Sequence, residues 1–421
     1  MPKLTNLYAR EIIDSRATPT VEVVAILDDG STGVASVPSG SSTGTYEAWE
    51  LRDLDQNRYL GKGVLKAVAN INGEIATKLV NQPLESQEAL DKFLINLDGD
   101  PNKKRLGANA ILGVSMAVCK AMAISAKLPL YKHIAALTHA SESLFVPQPV
   151  FNMINGGKHG AGNLDFQEFF VIPNHVNSFA AALETGAVIY HTIKKILARR
   201  GAIHSVGDEG GFAPNLFTNL DALEVLSEAI GETNHKVGVD VELGLDVASN
   251  SFYKDGRYII KDRSSPLEGS EFIDYLRDLN GQYHLRLLED ALFEDDWKGW
   301  AALTSELGAT TSIVGDDLLV SNPKRVMTAI AEKACNAILI KPNQIGTVTE
   351  TLEVVKQSRA AGWKIIVSHR SGETNDAFIA DFAVGVGADY VKFGAPARGE
   401  RVAKYNRLLS IEVELKSWLP I

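Results

Sequence analysis

Sulfur is scarce in this chain, a signal-peptide core is missing, and no long apolar run goes uninterrupted. Of 421 residues only two are cysteine, Cys119 and Cys335. Both sit in apolar context, which suits buried structural thiols in a reducing compartment and disfavours a disulfide framework or a cysteine nucleophile. The most apolar stretch, residues 106–128, is broken by Asn109, Ser115 and Lys120, so it reads as a buried helix rather than a membrane span. The opening MPKLTNLYAREIIDSR has no apolar signal-peptide core. A cytoplasmic soluble protein is the expectation. Basic excess is also lacking: 42 lysines and arginines face 52 acidic residues, for a formal net charge of -10. That balance disfavours nonspecific binding to nucleic acid or an anionic membrane, and neither is expected as a partner. It leaves a small anionic substrate open, because a local cationic site can exist within an acidic protein.

With 45% apolar and 22% charged residues, the chain has material for a large core and no sign of global disorder. Residues 21–27 and 31–37 flank the turn Asp28-Asp29-Gly30 and predict a β-hairpin. Val64, Val68, Ile71, Ile75 and Leu79 recur at helical spacing, and Leu90, Phe93, Leu94 and Leu97 repeat the pattern. Strands first and helices after argue a smaller α+β domain, assigned to residues 1–137. The polar, proline-marked segment 138–149 suggests a boundary. Beyond it come eight short apolar runs, at 150–155, 166–172, 243–248, 285–290, 312–317, 337–341, 364–368 and 390–393. From the fourth onward they recur about every 25 residues with helical segments between them, which predicts parallel strands closed into an eight-stranded β/α barrel over 138–421. The long interval before residue 243 has room for two helices, so the opening of the barrel is expected to be irregular.

In such barrels the functional side chains stand at the C-terminal strand ends, a rule that collects Glu168, Asp246, Glu289, Asp316, Lys341, His369 and Lys392. Any one acidic residue alone is more ordinarily a turn or ion-pair residue. Carboxylates ending three successive units, followed by a lysine ending the next, instead describe a hard divalent metal site with a base beside it. Glu289 and Asp316 are preferred to Asp290 and Asp317 on strand phase. In the next unit, Arg370 offers a planar fork for phosphate or carboxylate, and Ser371 with the amides after it is read as a helix opening that would bind an anion. Lys392 adds a cation. The glycine-rich segments 38–44 and 155–162 match neither a GxxxxGK[ST] loop nor a GxGxxG fingerprint. They read either as linkers or as lids, the second carrying His159. The loop 207–212 presents Glu209.

Read in order, EIIDSR, VPSGSSTGTYEAWELRD, GANAILGVSMAVCKA, FNMINGGKH, FQEF, GDEGGFAPN, NPKR, IKPNQIGTVTE, VSHRSGET and AKYNRLL resemble the enolase family almost end to end. The resemblance implies an enolase-type β/α barrel behind an α+β domain, and dehydration of 2-phospho-D-glycerate to phosphoenolpyruvate. It implies two magnesium ions per site. Asp246, Glu289 and Asp316 would hold the first, and Ser42 would help bind a second that arrives with substrate. Lys341 would take the carbon-2 proton, and Glu209 with Glu168 would assist departure of the carbon-3 hydroxyl. Arg370 and Ser371 would hold the phosphate, with Gln167, His159, His369 and Lys392 completing the site. A homodimer or higher homo-oligomer would be the assembly.

Several positions depart from the usual pattern of the family. Ala17-Thr18 replaces Gly-Asn, Lys158-His159-Gly160 replaces Ser-His-Ala, and Ser251, Ala291 and Phe393 are unusual. Ala17 is expected to strain a turn if its φ is positive. Phe393 is expected to reshape the wall beside Lys392. Two alternatives follow: a divergent paralogue acting on a related phosphonate or carboxylic acid, and a binding protein that has lost turnover.

Overall fold

The structure, a computed structural model, describes residues 1–40, 44–138, 144–160, 164–174 and 176–417, with the backbone alone at His159. Three strands open the chain as an antiparallel meander: β1 (Leu4–Ile13), β2 (Pro19–Leu27) and β3 (Thr32–Ser36). The β2–β3 pair is the predicted hairpin, closed through Gly30 at φ 84. Strand β1 was not legible, because Arg10 and Glu11 interrupt its apolar alternation. The helix Ala108–Ser125 lies against this sheet so closely that a Cβ on Gly33 would sit 1.9 Å from the Ala117 carbonyl oxygen. The same helix, apolar enough to span a membrane, is 78% buried within the fold. The predicted helix over 65–79 forms with a wide turn at Ile71–Ile75. That turn lets Asn72 exchange hydrogen bonds with the Ala9 backbone at 2.7 and 3.0 Å, clamping β1. The helix Leu130–Thr138 packs on Phe378–Gly385, where a Cβ on Gly385 would meet Ile134 at 2.7 Å.

The barrel is closed and has eight strands, in the order β10-β11-β12-β13-β4-β5-β6-β9. They are β4 (Gln148–Asn155), β5 (Glu168–Pro173), β6 (Val241–Asp246), β9 (Leu285–Glu289), β10 (Ser312–Gly315), β11 (Ala337–Ile340), β12 (Lys364–Ser368) and β13 (Tyr390–Lys392). A small hairpin of β7 (Tyr253–Lys254) and β8 (Arg257–Tyr258) stands outside it.

One expectation is corrected. The strands are not all parallel: β5 runs antiparallel to both β4 and β6. The β4–β5 connection holds, among its described residues, a single 3-10 turn at Gly157–His159 and no crossover helix, and two helices, Phe179–Arg199 and Asn219–Glu232, follow together before β6. The reversal also corrects the reason for including Glu168. It begins its strand rather than ending it, and reaches the common mouth because β5 runs the other way: Glu168 pairs with Asp246, and Asp246 with Glu289.

The barrel lumen is filled by Val150, Phe170, Ile172, Leu287, Val314, Ala337, Leu339, Ile366 and Tyr390, a cluster separate from the main core. Strand alternation carries this inward phase two residues on, from Leu287 to Glu289, Val314 to Asp316, Leu339 to Lys341, Ile366 to Ser368 and Tyr390 to Lys392. Stepping back from Phe170 reaches Glu168. The polar mouth therefore stands directly on the apolar plug.

Candidate active site

Lys392 is the hub of the mouth. Its ammonium, 4.8 Å above the Phe170 ring, lies 2.8 Å from Glu168, 2.7 and 2.8 Å from the two Glu289 oxygens, and 3.5 Å from Asp246. Burial alone would discharge this lysine, but Glu168, Glu289 and Asp246 outweigh it and hold the ammonium well above the usual lysine range. Asp246 also accepts from the Gln167 amide at 3.1 Å and from the Ala248 N–H at 3.0 Å. On the neighbouring strands, Lys341 Nζ donates to Asp316 Oδ2 at 2.5 Å, and Gln344 donates to Asp316 Oδ1 at 2.9 Å. Burial pulls the Lys341 proton off and Asp316 holds it on, with Asp316 prevailing. Arg370 and Lys392 push with burial. The Asp316 carboxylate therefore holds Lys341 in its ammonium form.

Four carboxyl groups, of Glu168, Asp246, Glu289 and Asp316, thus share a buried mouth with two ammonium groups, of Lys341 and Lys392. The acidic excess shows at Glu289, which burial and then Asp246 push well above the carboxylate range. A divalent cation among Asp246, Glu289 and Asp316 would remove that excess, so the donor set fits a hard metal ion. A second acidic grouping, Asp290, Asp316 and Asp317, brings its oxygens within 4.8 Å of one another. Asp290 has a different employment, since its two oxygens accept the N–H groups of Asp316 and Asp317, each at 2.9 Å. It braces the turn that presents Asp316. Asp317 is pushed up to about 7 by burial and by Asp316 beside it.

The anion side of the mouth is built from β12 and the loop after it. Arg370, 5% exposed, makes a bidentate pair with Glu47 at 3.0 and 3.1 Å and donates to Asn343 at 3.1 Å. Ser371 lines the cavity, but the expectation that it opens a helix is corrected: the next helix starts at Phe378. What fixes this loop is a two-way backbone bridge between Ser39 and Gly372, at 2.8 and 2.9 Å, tying the base of the first glycine-rich segment to the anion side. A side chain at 372 would meet Asp14 at 2.2 Å, so this approach requires glycine.

Glu209 enters from the tight loop containing Gly210, whose φ is 89. It accepts from Asn152 at 3.1 Å and faces His369 Nε2 at 3.4 Å. Lys158 and Ser251, two of the unusual positions, line the cavity. Ser42 and the His159 side chain lie outside what is described. The expected effect of Phe393 is corrected. It points away from the mouth and packs on Tyr405, ring centroids 6.0 Å apart, because it is one residue out of phase with Lys392.

The family model for the enolase C-terminal TIM barrel domain matches residues 143–419, and that for the enolase N-terminal domain matches residues 4–134. The chain belongs to the enolase family. Membership makes it a lyase-type enzyme, of a superfamily that generally uses magnesium.

Within this enolase-family site, sequence reading missed four contributors. Asn152 was findable, since it shares the inward phase of Val150. Gln344 sits in the short helix Pro342–Ile345, one turn past Lys341. Glu47 and Arg401 left no signal, because their partners are hundreds of positions away or on another element.

Proposed function

We propose that the protein catalyses the magnesium-dependent, reversible dehydration of 2-phospho-D-glycerate to phosphoenolpyruvate, the hydro-lyase step of glycolysis and gluconeogenesis. The observation that carries this reading is one barrel mouth that combines a buried carboxylate excess, a lysine governed by one of those carboxylates, and an arginine fork on the adjoining strand end. Asp246, Glu289 and Asp316 would hold a magnesium ion, with Ser42 expected to serve a second. Bound there, the metal supplies Lewis-acid stabilisation of negative charge developing on the substrate carboxylate.

The protein's own groups do the rest. Lys341 takes the proton from carbon 2. Glu209, assisted by Glu168, delivers a proton to the carbon-3 hydroxyl, which leaves as water while the double bond forms between carbons 2 and 3. Arg370 and Ser371 receive the phosphate, and Arg370 must share or exchange Glu47 to do so. Lys392, Gln167 and His369 orient the remaining oxygens, and His159 would complete the shell. A small phosphorylated acid is therefore the proposed partner. A homodimer or higher homo-oligomer in the cytoplasm is proposed with it, supported by the family and by an acidic chain.

The test is ultraviolet absorbance of purified protein with 2-phosphoglycerate, first with magnesium and then with chelator. A metal-dependent rise from the conjugated enol is the expected result. A folded, magnesium-binding protein that produces no rise would overturn the proposal.

A further inference from the structure

We propose that Arg401 is a positioning residue that locks His369 as the neutral tautomer protonated on Nε2 and ties the anion-side loop to the Glu209 loop. Arg401 lies on the helix Gly399–Ser417, outside the barrel wall, and is fully buried. One terminal nitrogen reaches His369 Nδ1 at 2.5 Å and the Arg370 carbonyl at 2.6 Å. The other reaches the Ser371 carbonyl at 2.6 Å and the Asp208 carbonyl at 3.0 Å. A guanidinium has donors and no acceptor, so Nδ1 of His369 must accept. A neutral imidazole that accepts at Nδ1 carries its proton on Nε2, and that nitrogen faces Glu209 Oε2 at 3.4 Å.

Among the described residues, the charged groups facing the ring are Glu209, Arg401 and Lys392. Burial holds the imidazole far below its ordinary range, at about 3, with Arg401 and Lys392 reinforcing it and Glu209 opposing. A second proton would have to sit on Nδ1, against the guanidinium. His369 therefore presents an N–H at Nε2, which forms no hydrogen bond in this structure and is aimed at Glu209 or an anionic substrate oxygen, and is not a proton acceptor there. The carbonyl contacts give Arg401 its other task. A single rigid fork spans Asp208, next to the acid, and Arg370–Ser371, on the anion side. The fork thus ties the two loops together.

The assignment does not depend on the identity of the substrate, and neither does its test. The protein, labelled with nitrogen-15 histidine, is examined by long-range proton–nitrogen correlation. His369 is identified by the signals lost in His369→Gln. The expected result is an unprotonated Nδ1 and a protonated Nε2, unchanged from about pH 8 to about pH 5. Arg401→Lys retains one donor for Nδ1 and should keep the tautomer. Arg401→Met should move the proton or let the ring titrate near its ordinary range. A protonated Nδ1 in the unmodified protein overturns the proposal, as does an unchanged spectrum in folded Arg401→Met. If Arg401→Met does not fold, the pH series on the unmodified protein and Arg401→Lys decides. None of these spectra requires turnover, so failure of the hydratase reading would be seen separately.

Discussion

Replacing Glu47 by glutamine should make the protein bind inorganic phosphate more tightly. Among the described side chains lining the mouth Arg370 is the only arginine, and Glu47 engages it with two hydrogen bonds of 3.0 and 3.1 Å. Both side chains are nearly out of solvent, at 5% and 6% exposure, so salt screens the pair little. An arriving phosphate must displace or share this internal anion. Charge-assisted hydrogen bonds contribute roughly 1.5–3 kcal/mol. Glutamine keeps one acceptor oxygen and loses the charge, so about half of that competition disappears. About 1.4 kcal/mol corresponds to about tenfold in affinity. Titration calorimetry with inorganic phosphate reads this directly, and competitive inhibition of turnover provides an independent reading. Circular dichroism should show the fold retained. Phosphate affinity unchanged or weaker in folded Glu47→Gln would refute the reasoning, and would make Glu47 an orienting strut for Arg370 rather than its competitor.

Lys341→Ala should lower turnover by about a hundred- to ten-thousand-fold while leaving phosphate affinity and the folded spectrum nearly unchanged. A binding protein without catalysis would show no such split. Ala17, at φ 55, stands in the left-handed region, and Ala17→Gly should stabilise the protein by roughly 0.5–1 kcal/mol. An unchanged or lowered urea midpoint at constant slope would count against strain at that turn. Asp376 is buried, which raises its pKa, but Lys120 at 2.7 Å prevails and lowers it below the ordinary carboxylate value of 3.8. The unfolded chain therefore binds the extra proton first. Stability from this pair is complete above the ordinary value and is lost as pH falls from it through the depressed folded value. Urea unfolding across that acidic window should show a smaller loss in Lys120→Met than in the parent, and equal losses would refute the linkage.

The candidate site was legible where period and position coincide. Asp246, Glu289, Asp316, Lys341 and Lys392 each close an apolar run, and choosing Glu289 and Asp316 over Asp290 and Asp317 required only alternation. The structure places both chosen residues in the inward phase of the lumen cluster. Phe393 was misjudged, being adjacent to Lys392 in sequence but one residue past the end of β13 and packed on Tyr405. Glu168 was included by assuming a direction that its strand does not have. Apolar patterning reports which residues are buried, and it carries no information on which way a strand runs.

The amino-acid sequence by itself determined an α+β domain followed by a barrel, the strand ends that carry charge, and the family motifs. These follow from local periodicity and from residue order, which a chain displays before it folds. Only the tertiary structure decided the reversal of β5, the occupation of the Arg370 fork by Glu47, the bracing of Asp316 by Asp290, and the hold of Arg401 on His369. Each of these joins groups through space across element boundaries. Hydrogen-bond direction, burial and the balance of neighbouring charges exist only once those groups have been brought together.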